Sequence, residues 1–273
     1  MNKMYKVFIQ RIDYRITLAS FTLLMIISGV QYLQSAIQIS AREGIFHDSP
    51  YTSWLSMDQF NFIPILFFLL VPLLASIPGA TLITKDLKEH FTRQLILRLG
   101  GLKVAWGYLL TSLILGSILV GGTLLINFLA FFLLLPNTVP DIFLNLNIAV
   151  ITQDTMWVSL YYTQPFLHAL FSIVVATVWS GLFAAFATSM AWFINNRFFA
   201  VASGLILQVG LMLLNMVFPL PRQISYIPYD FMHESASANV SGKVVLIMTL
   251  VMTAVIILLA LIGGRIRAYE ASN

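Results

Sequence analysis

The 273-residue sequence contains no cysteine and little charge. The lack of cysteine excludes disulfide frameworks, thiol catalysis and cysteine-ligated metal sites, although it does not identify the compartment. Only 10% of the residues are charged and 59% are hydrophobic, with a mean hydropathy of +0.88. A globular domain in water carries roughly a quarter of charged residues. Because long apolar runs satisfy their backbone in lipid as helices, the composition predicts an all-α integral membrane protein.

Fixed charge is absent from the long apolar segments, which predict six transmembrane helices. All eleven acidic residues fall in the predicted loops or termini. Ion-coupled transporters usually hold a charged group near the midplane, so this distribution disfavours a self-powered transporter and leaves a channel or a uniporter open. The third span exceeds the ~20 residues that a bilayer requires and must tilt or protrude. The predicted spans are about 16–33, 61–83, 104–135, 166–192, 198–218 and 244–264.

Catalytic and nucleotide-binding motifs are also missing. The sequence has no HExxH motif, no acidic pair within a span, no Ser with a His at matching depth and no GxxxxGK[ST] loop. We therefore expect no enzyme active site, no ATP-binding motif and no cofactor on this chain. His47, His168 and His233 share one predicted side of the membrane with several carboxylates, but they lack the His-x-His or His-x3-His spacing of a metal site. No metal is predicted.

The basic residues define the orientation. The isoelectric point of about 9.4 does not indicate nucleic acid, because the basic residues flank the spans instead of forming a patch. Of the 15 Lys and Arg residues, 12 fall on one predicted side and 3 on the other. By the positive-inside rule, the first side and both termini are cytoplasmic. The outer loops are then 34–60, 136–165 and 219–243, and the chain 1–273 forms a single transmembrane domain. The inner residues are Lys3, Lys6, Arg11, Arg15, Lys85, Lys88, Arg93, Arg98, Lys103, Arg197, Arg265 and Arg267, and the outer ones are Arg42, Arg222 and Lys243.

Two stretches outside the spans are amphipathic. Residues 3–15 place apolar side chains opposite polar ones and predict a helix in the membrane interface. The stretch from Ile83 to Lys103 is the only long charged helix between two apolar spans, with Thr84 as the expected N-cap and Gly100 after its end. Such a helix suits the docking of a partner, or equally a surface hairpin between two spans. Its apolar stripe is Leu87, Phe91, Leu95 and Leu99, opposite Lys85, Lys88, Glu89 and Arg93.

The polar residues inside the predicted spans are neutral. They are open to two interpretations: they line an outward-opening cavity for an amphipathic substrate, or they form hydrogen bonds between helices, each worth about 1 kcal/mol. These candidate residues of a substrate path are Asn127, His168, Gln208 and Asn215.

Proline and small residues make further predictions about packing. Pro64, Pro72 and Pro78 in the second span predict a kinked helix whose freed carbonyls find partners inside the bundle. In the fourth span, small residues recur every four positions and predict a face that packs closely against another helix. They are Ser180, Ala184 and Thr188, with Gly181 and Ala185 beside them.

The order of these elements resembles the permease subunit of an ABC-2 type (type V) ABC transporter. In local sequence the resemblance is strongest over residues 82–110, LITKDLKEHFTRQLILRLGGLKVAWGYLL. It implies that the charged helix between spans two and three is a coupling helix that inserts into a separate cytosolic ATPase, which binds ATP and Mg. It also implies an assembly of two ATPase subunits and two permeases, the second permease being a copy or a paralogue. By this resemblance, the contacts with the ATPase are Asp86, Glu89, Phe91, Arg93 and Arg98.

The resemblance leads to a functional expectation with one alternative. We expect a permease of an exporter in the cell membrane, taken to be a bacterial plasma membrane, that moves a hydrophobic or amphipathic substrate such as an antimicrobial peptide, a lipid or a drug. Many family members concentrate a re-entrant hairpin between spans five and six, whereas loop 219–243 here is polar and carries three prolines, so no hairpin is predicted. The alternative is a non-transport anchor or sensor subunit that recruits a cytosolic partner through the same helix.

Overall fold

The computed structural model describes residues 2–41, 48–58, 61–140, 156–194, 196–235 and 238–272. Within these ranges the chain forms helices and no β-strand, apart from an isolated bridge between Ile224 and Asn239. The helices are α1 (Asn2–Arg11), α2 (Tyr14–Ala41), α3 (Pro50–Ser53), α4 (Phe62–Lys88), α5 (Phe91–Leu99), α6 (Gly101–Leu134), α7 (Val158–Thr163), α8 (Pro165–Met190), α9 (Arg197–Val217), α10 (Pro228–Met232) and α11 (Gly242–Ser272).

Six of the described helices are long and apolar enough to cross a membrane: α2, α4, α6, α8, α9 and α11. Each overlaps one predicted span, so the predicted set of spans is confirmed as a set of helices. The largest differences are at the ends of two spans: the first was predicted to end at residue 33 and continues as helix to Ala41, and the sixth was predicted to end at residue 264 and continues to Ser272. Helix α6 has 34 residues, or about 51 Å at 1.5 Å per residue, and exceeds the ~30 Å hydrocarbon core of a bilayer.

Helices α4, α6 and α8 pack against one another at the centre of the bundle. Helix α2 lies against α4 and α6, α9 against α4 and α8, and α11 against α6 and α8. The exposed side chains of α2, α9 and α11 are mostly large and apolar, among them Leu18, Ile206 and Leu250. Such residues face the hydrocarbon when the bundle lies in a membrane.

Small residues bring α6 and α8 into direct contact. A Cβ added to Gly116 would lie 2.6 Å from the Cβ of Ala184. The Ser112 hydroxyl donates to the Ala184 carbonyl at 2.8 Å, and the Thr188 hydroxyl lies 2.6 Å from that of Ser112. Close approach of this kind allows side-chain hydroxyls to bond the backbone of the neighbouring helix. The predicted close-packed face of the fourth span is therefore confirmed.

Helix α4 remains helical through Pro72 and Pro78. Proline lacks an N–H group, so Pro72 leaves the carbonyl of Phe68 without its helical partner. The side chain of Gln208 in α9 donates to this carbonyl at 3.3 Å. The carbonyl that Pro72 frees therefore has a partner inside the bundle, as predicted. Gln208 is fully buried and forms a hydrogen bond between helices, which is the second of the two roles considered for the polar residues in the spans.

The charged stretch from Ile83 to Lys103 is not one helix, which corrects the prediction: it comprises the end of α4, the whole of α5 and the start of α6. Helix α4 continues to Lys88, and the chain then turns at His90, whose φ is 56°, before α5 begins. Thr84 is not an N-cap, because it lies inside α4 and its hydroxyl donates to the Ala80 carbonyl at 2.8 Å. Gly100, with a φ of 85°, ends α5 as predicted.

Helices α1 and α5 and the last turns of α11 lie at one end of the bundle, which we call the basic end. The Phe8 ring of α1 fills the space where a Cβ on Gly107 would stand. A Cβ on Gly101 would lie 2.3 Å from the Gly264 carbonyl oxygen, so the start of α6 and the end of α11 are in contact. The opposite end, which carries α3, α7 and α10, is called the loop end.

Candidate functional site

Asp86 joins three helices at the basic end. It lies in the last turn of α4 and is 1% exposed. The Nε group of Arg11 in α1 donates to its Oδ1 at 3.0 Å, and the Tyr108 hydroxyl of α6 donates to its Oδ2 at 2.6 Å. An ion pair with additional hydrogen bonds is the arrangement that allows a carboxylate to be buried. Asp86 is therefore an internal residue, and its predicted contact with an ATPase is not supported by its position.

Arg11 also holds the start of α5. Its Nη2 donates to the Glu89 carboxylate at 2.6 Å, and its guanidinium carbon lies 4.2 Å above the centre of the Phe91 ring. A cation over an aromatic ring is attracted by the negative face of the ring. The break between α4 and α5 is thus fixed by one side chain from α1. A displacement of α5 would act on α1 and α4 through this contact.

The two faces of α5 differ in exposure. Leu95 and Ile96 are buried against the bundle, whereas Arg93, Gln94 and Arg98 are exposed. In this helix, which is shorter than predicted, Leu95 of the predicted apolar stripe is buried and Arg93 of the predicted polar face is exposed, while Leu97 is also exposed. Of the five predicted contact residues, Glu89, Arg93 and Arg98 are exposed, Phe91 is half-buried beneath Arg11, and Asp86 is buried.

The segments at the loop end fold into the bundle. Trp54, Leu55 and Met57 after α3 are almost fully buried. The Ser56 hydroxyl donates to the Met232 carbonyl at 3.0 Å, which joins the segment after α3 to the end of α10. These contacts give the loop end a packed core of its own, although the sequence predicted polar outer loops.

Helix α10 inserts between the central helices. It packs against α8 and α4, and the ring centre of Phe231 lies 5.6 Å from that of Trp179. Trp179 is fourteen residues after the start of α8, which corresponds to about 21 Å along its axis. No hairpin was predicted here, but the segment packs into the bundle through buried apolar side chains, among them Ile227, Phe231 and Met232.

Buried polar groups collect between α7, α8 and this inserted segment. His168 Nδ1 lies 3.6 Å from Glu234 Oε2, and the Tyr161 ring packs edge-on against His168 at 5.2 Å. The polar atoms of this set are buried and poorly paired, which is uncommon in folded proteins, and the Ser172 hydroxyl faces the Glu234 carboxyl. We call this set the loop-end polar cluster: Tyr161, His168, Ser172, Trp179, His233 and Glu234.

Burial controls the charge of the loop residues in this cluster. It raises the pKa of Glu234 from its usual 4.5 to about 8. It lowers the pKa of His233 from 6.5 to about 4. Both groups are therefore mainly neutral at pH 7, Glu234 as a carboxylic acid that can donate a hydrogen bond. The cluster presents donors and acceptors in an apolar surrounding without a fixed charge.

Asn127 belongs to a second buried network at the loop end. Its Oδ1 accepts from the Leu55 N–H at 2.9 Å, and its Nδ2 donates to the Gln31 side chain at 3.1 Å. Gln31 in turn donates to the Asp58 carboxylate at 2.8 Å, and so does Asn61 at 2.7 Å. These bonds tie α2 and α6 to the segment between α3 and α4. Asn127 therefore has a structural role here.

The remaining candidates of the substrate path separate in space. Only His168 lies in the loop-end polar cluster, whereas Gln208 bonds α4 and Asn215 lies in α9 with one buried oxygen that has no partner among the described groups. His47 lies outside the described residues. No group of three or more His, Asp or Glu side chains within the described ranges is arranged to hold a metal ion.

Several residues of these sites were missed by the sequence analysis. Arg11 and Tyr108 gave no signal, because their partner Asp86 is distant in the sequence. The sequence of α8 did carry a signal: His168, Ser172 and Trp179 are separated by four and seven positions, which places them on one side of a helix.

The fold defines a class. Six long apolar helices make this chain an all-α, multi-pass membrane protein. Comparison of the chain with protein-family models, with curated proteins and with solved structures found no match. Its function is therefore argued from its own residues.

Proposed function

We propose that this chain is the membrane-spanning permease subunit of an ATP-driven exporter, powered by a separate cytosolic ATPase that binds ATP and Mg. The observation that supports the proposal is the position of α5. Its exposed face carries Arg93 and Arg98, while its buried face and its first turn are held against the bundle. A docking helix of this kind offers a partner charged groups and transmits force to the spans.

The path of that force is proposed as follows. A push on α5 reaches α1 and α4 through Arg11, Glu89 and Asp86. Helix α4 extends from this contact to the loop end, where the Phe68 ring stacks on His233 at 5.2 Å between ring centres. Movement of rigid helices of this kind is a common form of switching. The inserted α10 and the loop-end polar cluster would respond to it.

The proposed substrate is hydrophobic or amphipathic. The loop-end polar cluster offers neutral hydrogen-bonding groups next to apolar side chains, which suits a molecule with both characters. The basic end is assigned to the cytoplasm because Lys85, Lys88, Arg93 and Arg98 lie there. A second permease, a copy or a paralogue, would complete the assembly in the cell membrane, taken to be a bacterial plasma membrane.

The first experiment is purification of the tagged chain in mild detergent with identification of the proteins that accompany it. We expect a soluble ATPase at equal stoichiometry. The double variant R93E/R98E should insert normally and lose stimulation of ATP hydrolysis. The matched control is R222E/K243E, which reverses two exposed charges at the loop end and should retain it.

Two results would contradict the proposal. Recovery of the chain without an ATPase, even after crosslinking in the membrane, would remove the coupling role of α5. An ATPase that binds while sealed vesicles show no substrate flux would favour a subunit that anchors or senses.

A further inference from the structure

A cavity of about 260 Å³ opens at the basic end between α5 and the last turns of α11. Leu87 and Ile96 form its apolar part, and His90, Arg93, Arg267 and Glu270 form its polar part. The volume is below the ~300–1,000 Å³ of pockets for drug-sized ligands. The cavity is therefore suited to a headgroup and not to a whole amphiphile.

The two arginines have hydrogen-bonding capacity left. Arg267 donates to the Trp192 carbonyl at 3.0 Å and to Glu270 at 2.8 Å, while its buried Nε has no partner in the described part of the chain. Arg93 makes one long bond, 3.4 Å from the Ala271 carbonyl oxygen. A guanidinium carries five N–H donors in a planar fork that matches phosphate oxygens. The cavity thus offers donors for an oxyanion.

The charges of the cavity also favour an anion. Two guanidinium groups face one carboxylate, and that carboxylate is 54% exposed, so water weakens its opposing effect. Two further exposed arginines, Arg98 on α5 and Arg265 on α11, are close in sequence to the cavity residues but do not line the cavity.

The surroundings indicate which anion. Leu97, one helical turn after Arg93, is 65% exposed, and Ile266, one turn before Glu270, is 45% exposed. Apolar side chains beside basic ones are typical of the membrane interface, and basic pockets between helices on the cytoplasmic side bind anionic lipid headgroups. We propose that the cavity between α5 and α11 binds the phosphate group of an anionic membrane lipid, with Arg93 and Arg267 as its donors.

The experiment uses the purified full chain in zwitterionic nanodiscs, without any ATPase, so its outcome is independent of the proposed coupling. Phosphatidylglycerol is titrated, and retained lipid is measured by native mass spectrometry. Parallel titrations use phosphatidylcholine and inorganic phosphate. We expect saturable retention of phosphatidylglycerol, weaker retention of phosphatidylcholine and no competition by millimolar inorganic phosphate.

The variants test the assignment in both directions. Arg93→Gln should weaken phosphatidylglycerol binding by about tenfold, the effect of one charge-assisted hydrogen bond. Arg98→Gln, the matched control on the same helix, should leave it unchanged. Glu270→Gln should strengthen binding severalfold, because it removes the opposing charge. Arg267 is left intact, since its bond to Trp192 holds α11 against the bundle.

Three outcomes would overturn the inference. Equal binding by the wild type, Arg93→Gln and Glu270→Gln would show that the cavity does not receive the lipid. An equal loss in Arg98→Gln and Arg93→Gln would indicate general attraction by the basic surface. Competition by inorganic phosphate at the same affinity would assign the site to a free phosphate and exclude the lipid.

Discussion

Two buried carboxyl groups in this protein differ in what faces them. Asp86 meets the guanidinium of Arg11 and the hydroxyl of Tyr108. Glu234 meets His168, and no Lys or Arg in the described ranges forms an ion pair with it. A buried carboxylate without a cation is costly, and the group keeps its proton instead. The same residue class is therefore an ion pair at the basic end and a neutral acid at the loop end.

Asp86→Ala is expected to lower the free energy of unfolding by about 2 kcal/mol, because it leaves Arg11 and Tyr108 without their shared acceptor. Arg11 remains 30% exposed, so water compensates part of the loss. Heat denaturation of the purified chain in detergent measures the change. The control is Glu89→Ala, which removes the exposed partner of Arg11 and should cost less than about 1 kcal/mol. Equal losses in the two variants would refute the role of Asp86 as the central acceptor.

Glu234 predicts a dependence of stability on pH. The unfolded carboxyl loses its proton near pH 4.5 and the folded one near pH 8, so the folded state binds the extra proton between these values. The free energy of unfolding then falls as pH rises, by at most about 1.4 kcal/mol per pH unit. His233, with its pKa lowered from 6.5 to about 4, acts in the opposite direction below pH 6.5.

The informative window is therefore pH 6.5 to 8. We expect the midpoint of heat denaturation to fall across this window in the wild type and to change less in Glu234→Gln, which keeps the shape of the acid without its titration. Parallel slopes for the two proteins would mean that Glu234 already ionises near pH 4.5 in the folded state.

At the scale of the element, the contact between α6 and α8 depends on the absence of a side chain at Gly116. Gly116→Ala would place a Cβ 2.6 Å from Ala184 and 3.0 Å from the Ser180 carbonyl oxygen. The helices would have to separate, and the hydroxyl bond from Ser112 would lengthen. We expect a loss of about 1–3 kcal/mol, as for overpacked cores.

Gly122→Ala is the matched control on the same helix, because its nearest neighbour would be the Phe21 ring at 3.9 Å. It should be neutral or slightly stabilising, since alanine favours a helix more than glycine does. Heat denaturation in detergent compares the two. If both substitutions were tolerated equally, the close contact at Gly116 would not be a determinant of the packing.

At the scale of the whole molecule, α4 connects the two candidate sites. Asp86 and Phe68 are eighteen residues apart on this helix, or about 27 Å along its axis. Between them, α4 is packed on α6, α8 and α9. Gln208 donates to the Phe68 carbonyl, which Pro72 leaves without its helical partner. Pro72 and Pro78 lie within this stretch, and the packing on three sides supports the helix there. This support makes α4 the element through which the two ends would be coupled in the proposed exporter.

The sequence by itself determined the spans, the end of α5 at Gly100 and the close-packed face of α8. Each of these follows from a local pattern: the length of an apolar run, a period of 3.6 residues, or a glycine at a helix end. The physical cause is burial in an apolar environment, which acts on every helix in the same way and leaves a periodic record in its sequence.

Only the tertiary structure decided which polar groups meet. Arg11 and Asp86 are separated by 75 positions, and Ser56 and Met232 by 176. Acidic residues in predicted loops, Asp58 and Glu234, become internal because the loops carry enough apolar side chains to fold into the bundle. No local pattern records such pairs, since a hydrogen bond depends on where two distant segments end up and not on the spacing within either one.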